Sequence, residues 1–264
     1  MANRMNGKIA VVTGAASGMG KAIALAYLKE KAKVLACDLN TERLGELQQE
    51  VEAMGLSDCL QIMKCDVTNA EDCENAVAAC ADAFGSCNLL SHNAGITDNW
   101  TMLEDMTDDI WQRQINVNLT GSMYMTRAAI QYFLKNEIKG VIVMITSNAA
   151  IESSTGGVAY TASKAGANAL MKSISYEYAR QGIRCNAILP GPIVTNITES
   201  AGTRDPKGTA VHHGTGYNAH CSEWTIQKYA MPDQIAPLAV YLGSDESSFV
   251  TSASIVIDGG VCLG

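Results

Sequence analysis

The chain has 264 residues, 47% of them apolar and 17% charged, and 27 acidic against 19 basic side chains give a formal net charge of −8. This excludes a disordered chain, allows a full core without disulfide or metal support, and disfavours nucleic acid and anionic membrane as partners. No stretch approaches a membrane span, and nine cysteines without a C-x-x-C pair read as reduced, buried thiols, so a soluble cytoplasmic protein is expected.

Ile9-Ala10-Val11-Val12 is a continuous apolar run, too short for a signal-peptide core but typical of a strand covered on both faces. Lys33–Cys37, Leu89-Leu90 and Val141–Ile145 repeat the pattern. Leu44, Leu47, Val51 and Met54 form one helical stripe, and Cys73, Val77, Cys80 and Phe84 another. The second helix is expected to start at the capping box Thr68-Asn69-Ala70-Glu71. A long helix after Thr107 carries Ile115, Leu119 and Met123; another covers Val158–Gln181. Strands are predicted over Ile183–Leu189 and Ser254–Ile257. This alternation predicts an α/β fold: a single-domain, doubly wound, Rossmann-like parallel sheet of about seven strands over residues 1–264. Residues 196–230 break the rhythm with Gly202, Gly208, Gly214 and Gly216, His212, His213 and His220, and Tyr217 and Trp224. They are expected to form an irregular lid over the substrate.

Thr13-Gly14-Ala15-Ala16-Ser17-Gly18-Met19-Gly20 joins the first strand to the first helix. Small residues there let the backbone approach a pyrophosphate, and the helix amino terminus offers free N–H groups. Asp38 ends the second strand, where an acid accepts both ribose hydroxyls and repels a 2′-phosphate. The next residue is Leu39 rather than Arg or Lys, so NAD is expected over NADP, with Asn40 left to cap the following helix. Asp66-Val67, read as the end of the third strand, either frames an adenine or caps a helix. His92-Asn93-Ala94-Gly95 places small residues at the end of the fourth strand, close to a cofactor.

Tyr160 and Lys164 are four apart on a predicted helix and so share one face. Tyr27-Lys31 has the same spacing but nothing chemical nearby, and reads as structural. Ser147, just past the fifth strand, converges with Tyr160 at the carboxyl edge of the sheet. His212, His213, His220 and Cys221 match no zinc spacing, so no metal is expected.

Taken in order, Thr13–Gly20, Asn93-Ala94-Gly95, Asn118, Ser147, Tyr160, Lys164 and Pro190-Gly191-Pro192-Ile193-Val194-Thr195 resemble the short-chain dehydrogenase/reductases across nearly the whole chain. One departure is His92, where that family usually carries Asn. The resemblance implies an NAD-dependent alcohol/ketone oxidoreductase in which Tyr160 is the general acid/base. Lys164 would lower the phenol's pKa and hold the nicotinamide ribose, and Ser147 would donate to the substrate oxygen. Asn118, preferred over Asn116, would hold a water behind Lys164. Gly14, Ser17, Gly18, Met19, Gly20, Asp38, Leu39, Asp66, Val67, Asn93, Ala94, Gly95, Pro190, Gly191, Ile193 and Thr195 would line the cofactor. A homotetramer is implied, with the helices around Ile115–Gln131 and Val158–Tyr178 in contact between subunits.

Tyr178–Ala187 and the Leu263-Gly264 ending are similar to bacterial hydroxysteroid dehydrogenases, and Val211, Tyr217, Trp224 and Ile226 make the lid apolar. An apolar secondary alcohol such as a hydroxysteroid or bile acid is therefore the expected substrate. The alternatives are a 3-oxoacyl-[acyl-carrier-protein] reductase, which Gln131, Tyr176 and Asp38 disfavour, a polyol or sugar dehydrogenase, and a non-catalytic NAD(H)-sensing regulator.

Overall fold

The structure is a computed structural model; it describes residues 3–152, 155–215 and 229–263. Seven parallel strands form one sheet in the order β3-β2-β1-β4-β5-β6-β7. They are β1 Ile9–Thr13, β2 Lys33–Asp38, β3 Leu60–Lys64, β4 Leu89–His92, β5 Val141–Ile145, β6 Arg184–Pro190 and β7 Ser254–Ile257. Period-two alternation sends neighbouring strand residues to opposite faces, and both faces are covered. Ala10, Val12, Val143 and Ile145 pack beneath α1 (Gly18–Lys29), α2 (Thr41–Ala53) and α8 (Ala236–Gly243). Val11, Leu35, Ile142 and Met144 pack beneath α3 (Ala70–Phe84), α5 (Gly121–Lys135) and α6 (Val158–Tyr178).

The strand order reverses between β1 and β4, which opens a crevice at their carboxyl ends. One hydroxyl ties the two ends together. Thr13 Oγ1 accepts from Asn93 N and Ala94 N, both at 3.1 Å, and lies 3.0 Å from His92 Nδ1. Its lone pairs are thus taken and its proton goes to Nδ1, which assigns the ring proton to Nε2. Burial lowers the His92 pKa to about 3, with the Lys164 charge adding to the effect, so the ring stays neutral.

Several expectations need correction. The α3 cap is Asn69, whose side chain accepts from Glu71 N and Asp72 N; Thr68 Oγ1 instead donates to Asp66. Asp66-Val67 lies beyond β3, which ends at Lys64. The helix after Thr107 is continuous but composite: α4 (Asp108–Gln114), a π-helical stretch Ile115–Thr120, then α5. Residues 196–230 are less irregular than expected, with a 3₁₀ turn Ile197–Ala201 and helix α7 (Pro206–Thr215). Gly216, Tyr217, His220, Cys221, Trp224 and Ile226, and the side chain of His213, lie outside the described residues. Among the described residues no helix is long and apolar enough to cross a membrane, and no cluster of three His, Cys, Asp or Glu is suited to a metal.

Candidate active site

Two adjoining cavities open at the carboxyl edge of the sheet, and Met19, Thr195 and Ile197 line both. The first, about 630 Å³, runs past Gly14, Ser17, Gly18, Asp38, Leu39, Asp66, Val67, Asn93, Ala94 and Gly95. Its floor is the glycine turn. A Cβ at Gly20 would fall 2.0 Å from the Gly14 carbonyl oxygen, so the turn closes only on glycine although Gly20 itself lies behind the cavity wall. Ser17, the α1 N-cap, makes no side-chain capping bond, and the buried Asn93 Oδ1 has no partner. Unclaimed helix N–H groups beside a cradle too tight for side chains fit the pyrophosphate of a dinucleotide.

Along this groove Asp38 is already engaged by backbone N–H groups, although the helix cap is left to Asn40. The Asp38 carboxylate accepts from Ala16 N at 3.0 Å and Asn40 N at 2.9 Å, which binds the β2 end to the glycine turn. Asn40 does cap α2, accepting from Arg43 N. Nor is the groove without a cation. Arg43, four residues beyond Leu39, lines it and is paired with Glu199 at 3.1 Å. Sequence adjacency alone looked only at residue 39; one helical turn further would have found it.

The second cavity, about 390 Å³, holds Ser147, Tyr160, Pro190, Gly191, Ile193, Trp100 and Arg204. Ser147 accepts from Ala149 N at 3.1 Å and donates toward Asn148 Oδ1 at 3.4 Å, and its hydroxyl stands close enough to the Tyr160 phenol to bear on its ionisation. Lys164 and Asn118 stand behind this wall. Lys164 Nζ lies 5.7 Å from the Tyr160 ring centroid and donates to the Ile145 carbonyl at 3.3 Å. Asn118 sits in the π-helical stretch, buried, whereas Asn116 is exposed. Its amide exchanges hydrogen bonds with Ile96 N and Ile96 O, both at 2.9 Å, and donates to Ser163 Oγ at 3.0 Å. The side-chain amide thus pins the Gly95-Ile96 loop to α6.

Burial raises the Tyr160 pKa, the nearby Ser147 hydroxyl opposes this, and the Asp98 charge raises it further. Burial and the Asp98 charge thus favour the protonated phenol. Burial lowers Lys164 to about 8.

Sequence reasoning missed Asp98. It is 2% exposed, and its carboxylate accepts from Tyr160 N at 3.0 Å and Trp100 N at 3.4 Å. It thus caps the first turn of α6 from another loop, favourably placed against the helix dipole. Gly157 makes room for it, since a Cβ there would meet both Asp98 oxygens at 2.4 Å. The only sequence signal was an acid five residues after Asn93, with no helix beside it to cap.

The family model described as enoyl-(acyl carrier protein) reductase matches residues 14–262. The 3β-hydroxysteroid dehydrogenase 2 of Eggerthella lenta is 40% identical over 96% of this chain and 94% of its own. The 3-oxoacyl-[acyl-carrier-protein] reductase FabG of Thermotoga maritima is 35% identical over 98% and 100%, and the D-threitol dehydrogenase of Mycolicibacterium smegmatis 34% over 98% and 95%. The crystal structure of a short-chain type dehydrogenase/reductase from Mycobacterium marinum superposes with a TM-score of 0.88 at 27% identity, covering 100% of this chain and 98% of that one.

Proposed function

This chain belongs to the short-chain dehydrogenase/reductase family of oxidoreductases, and from that membership we propose that it interconverts an apolar secondary alcohol and its ketone using NAD. The observation that carries the reading is the pairing of Tyr160 and Ser147 hydroxyls in one cavity that adjoins the glycine-floored groove. Bound NAD would supply the hydride acceptor or donor. Gly14, Ser17, Gly18 and Asn93 would hold its pyrophosphate side. Asp38 would take the ribose hydroxyls and repel a 2′-phosphate, which favours NAD over NADP.

In ketone reduction Tyr160 donates the proton that burial and Asp98 keep on it, while Ser147 donates a hydrogen bond to the carbonyl oxygen. In alcohol oxidation the phenolate takes that proton, so this direction strengthens as pH rises. Lys164, titrating near 8, sits behind the phenol as the next group in line, held by the Ile145 carbonyl. A hydroxysteroid is the substrate best supported, by the 40% identical relative and by the Trp100, Pro190, Pro192, Ile193 and Tyr229 lining. Cytoplasmic residence and a homotetramer are inferred from the family; exposed Tyr176 on α6 and Leu134 on α5 support subunit contact. A screen of steroid, acyl and polyol alcohols with NAD⁺, read by NADH absorbance, tests the reading. Tyr160→Phe is expected to lower turnover by at least roughly 10²-fold with NADH binding kept. Retained turnover overturns the role of Tyr160.

A further inference from the structure

The second cavity contains a cation that the reaction does not use. Arg204 lies between the 3₁₀ turn and α7, half-buried, and its guanidinium carbon stands 3.6 Å from the centroid of the Trp100 ring. Stacking occupies the guanidinium face and leaves its in-plane N–H groups to point outward. One of them, Nη1, is enclosed and has no hydrogen-bond partner. Among the described residues none of the ion pairs within 4 Å includes Arg204. Asp98 is close enough for its charge to be felt, but it makes no ion pair within 4 Å with Arg204 and accepts instead from Tyr160 N and Trp100 N. A buried guanidinium nitrogen without an acceptor is costly, and it persists where something completes it.

The shelf under this cation is itself held against strain. Trp100 has φ +65°, a left-handed conformation that bulky side chains avoid. Asp98 fixes its amide, Asp205 N donates to Asn99 O at 2.9 Å, and α7 closes on it so tightly that a Cβ at Gly208 would fall 1.7 Å from the Trp100 carbonyl oxygen. The tryptophan, the arginine and the amino end of α7 therefore form one preset unit in the wall of the cavity that Ser147 also lines.

We propose that Arg204 is the anchor for a carboxylate on the substrate, so that the alcohol or ketone oxidised or reduced at Tyr160 belongs to a carboxylic acid with an apolar body. This rests on the reading of Tyr160 and Ser147 as the reacting site. One guanidinium offers a two-pronged edge that suits a single carboxylate, and the apolar lining suits the scaffold between the two ends. A phosphate ester, which carries more charge, would call for more than this one cation.

The test compares 3β-hydroxycholanate with its methyl ester, and a hydroxycyclohexane carboxylate with its methyl ester. Each is titrated calorimetrically into enzyme with NADH and assayed for turnover with NAD⁺, in the native enzyme, Arg204→Gln and Arg204→Lys. The quantity read is the acid-to-ester ratio of affinity and of kcat/KM. The native enzyme is expected to favour the acid at least roughly tenfold, Arg204→Gln to bring the ratio to about one, and Arg204→Lys to keep part of it. An equal ratio in native enzyme and Arg204→Gln overturns the proposal, as does failure of either acid to bind the native enzyme. Acid-selective binding without turnover keeps the anchor and overturns the alcohol/ketone reading instead, so the two failures are separable. Circular dichroism of each variant guards against misfolding, and the lysine variant carries the test if glutamine does not fold.

Discussion

Lys164 offers the most quantitative check on the site. The residue is 5% exposed, and its ammonium has one backbone carbonyl as its hydrogen-bond acceptor and titrates near 8 instead of the ordinary 10.5. At about 1.4 kcal/mol for each tenfold change in proton affinity, keeping it charged at pH 7 costs the folded state about 3 kcal/mol. The unfolded chain binds the proton more tightly, so this loss is fully present below pH 8 and disappears as pH rises from 8 to 10.5. Lys164→Met removes the charge and keeps the stem. Packing differences between the two side chains do not depend on pH, so the informative quantity is the change in their stability gap. The variant is expected to gain on the native protein by about 3 kcal/mol at pH 7 but only about 1 kcal/mol at pH 9.5, relative to a baseline at high pH. Urea unfolding at closely spaced pH values measures this. A gap that stays flat between pH 7 and 9.5 refutes the buried-ammonium argument. The same variant should lose most turnover, the trade expected where a strained site serves chemistry.

Asp98→Asn removes the charge that opposes phenol ionisation and replaces an acceptor facing Tyr160 N with an ambiguous amide. It should shift the rising limb of the pH profile of alcohol oxidation to lower pH and cost about 1.5–3 kcal/mol of stability, measured by pH–rate profiles and unfolding. An unmoved limb would mean that Asp98 serves α6 alone. Asp38→Ala loses two backbone N–H bonds and the repulsion toward a 2′-phosphate, and should narrow the ratio of NAD to NADP affinity at least roughly tenfold by calorimetry. Gly20→Ala forces a methyl onto the Gly14 carbonyl; a loss of about 1–3 kcal/mol and of dinucleotide binding is expected, and unchanged NADH affinity would count against the cradle.

The parts of the fold that sequence foretold are those set by local pattern. Val141–Ile145 is apolar at every position because both faces of β5 are covered, and the run marks a parallel strand without help from the rest of the chain. The glycine turn is equally local, since its spacing follows from one tight backbone contact. The π-helical stretch around Asn118 left no such mark, because apolar periodicity over six residues does not distinguish it from an α-helix. The α7 helix was hidden for the opposite reason. Gly208 looks like a helix breaker until its close approach to Trp100 O is known. Asp98 acts on a residue 62 positions away and Arg204 on one in the facing loop, so neither carries a motif. Asn69 and Thr68 were separable only by hydrogen bonds, as both residue types cap helices well.

The ion pair between Arg43 and Glu199 reaches across the mouth of the first cavity, from the start of α2 to the 3₁₀ turn. Both partners are partly exposed, so the bar is worth at most about 1 kcal/mol and yields to an incoming ligand. Its weakness gives it a kinetic signature. Moderate salt dissolves the bar faster than it disturbs the cradle beneath, so raising ionic strength from low values should quicken dinucleotide entry and exit together. Dissociation constants would then change less than either rate, and the doorway would govern how quickly the enzyme exchanges its coenzyme.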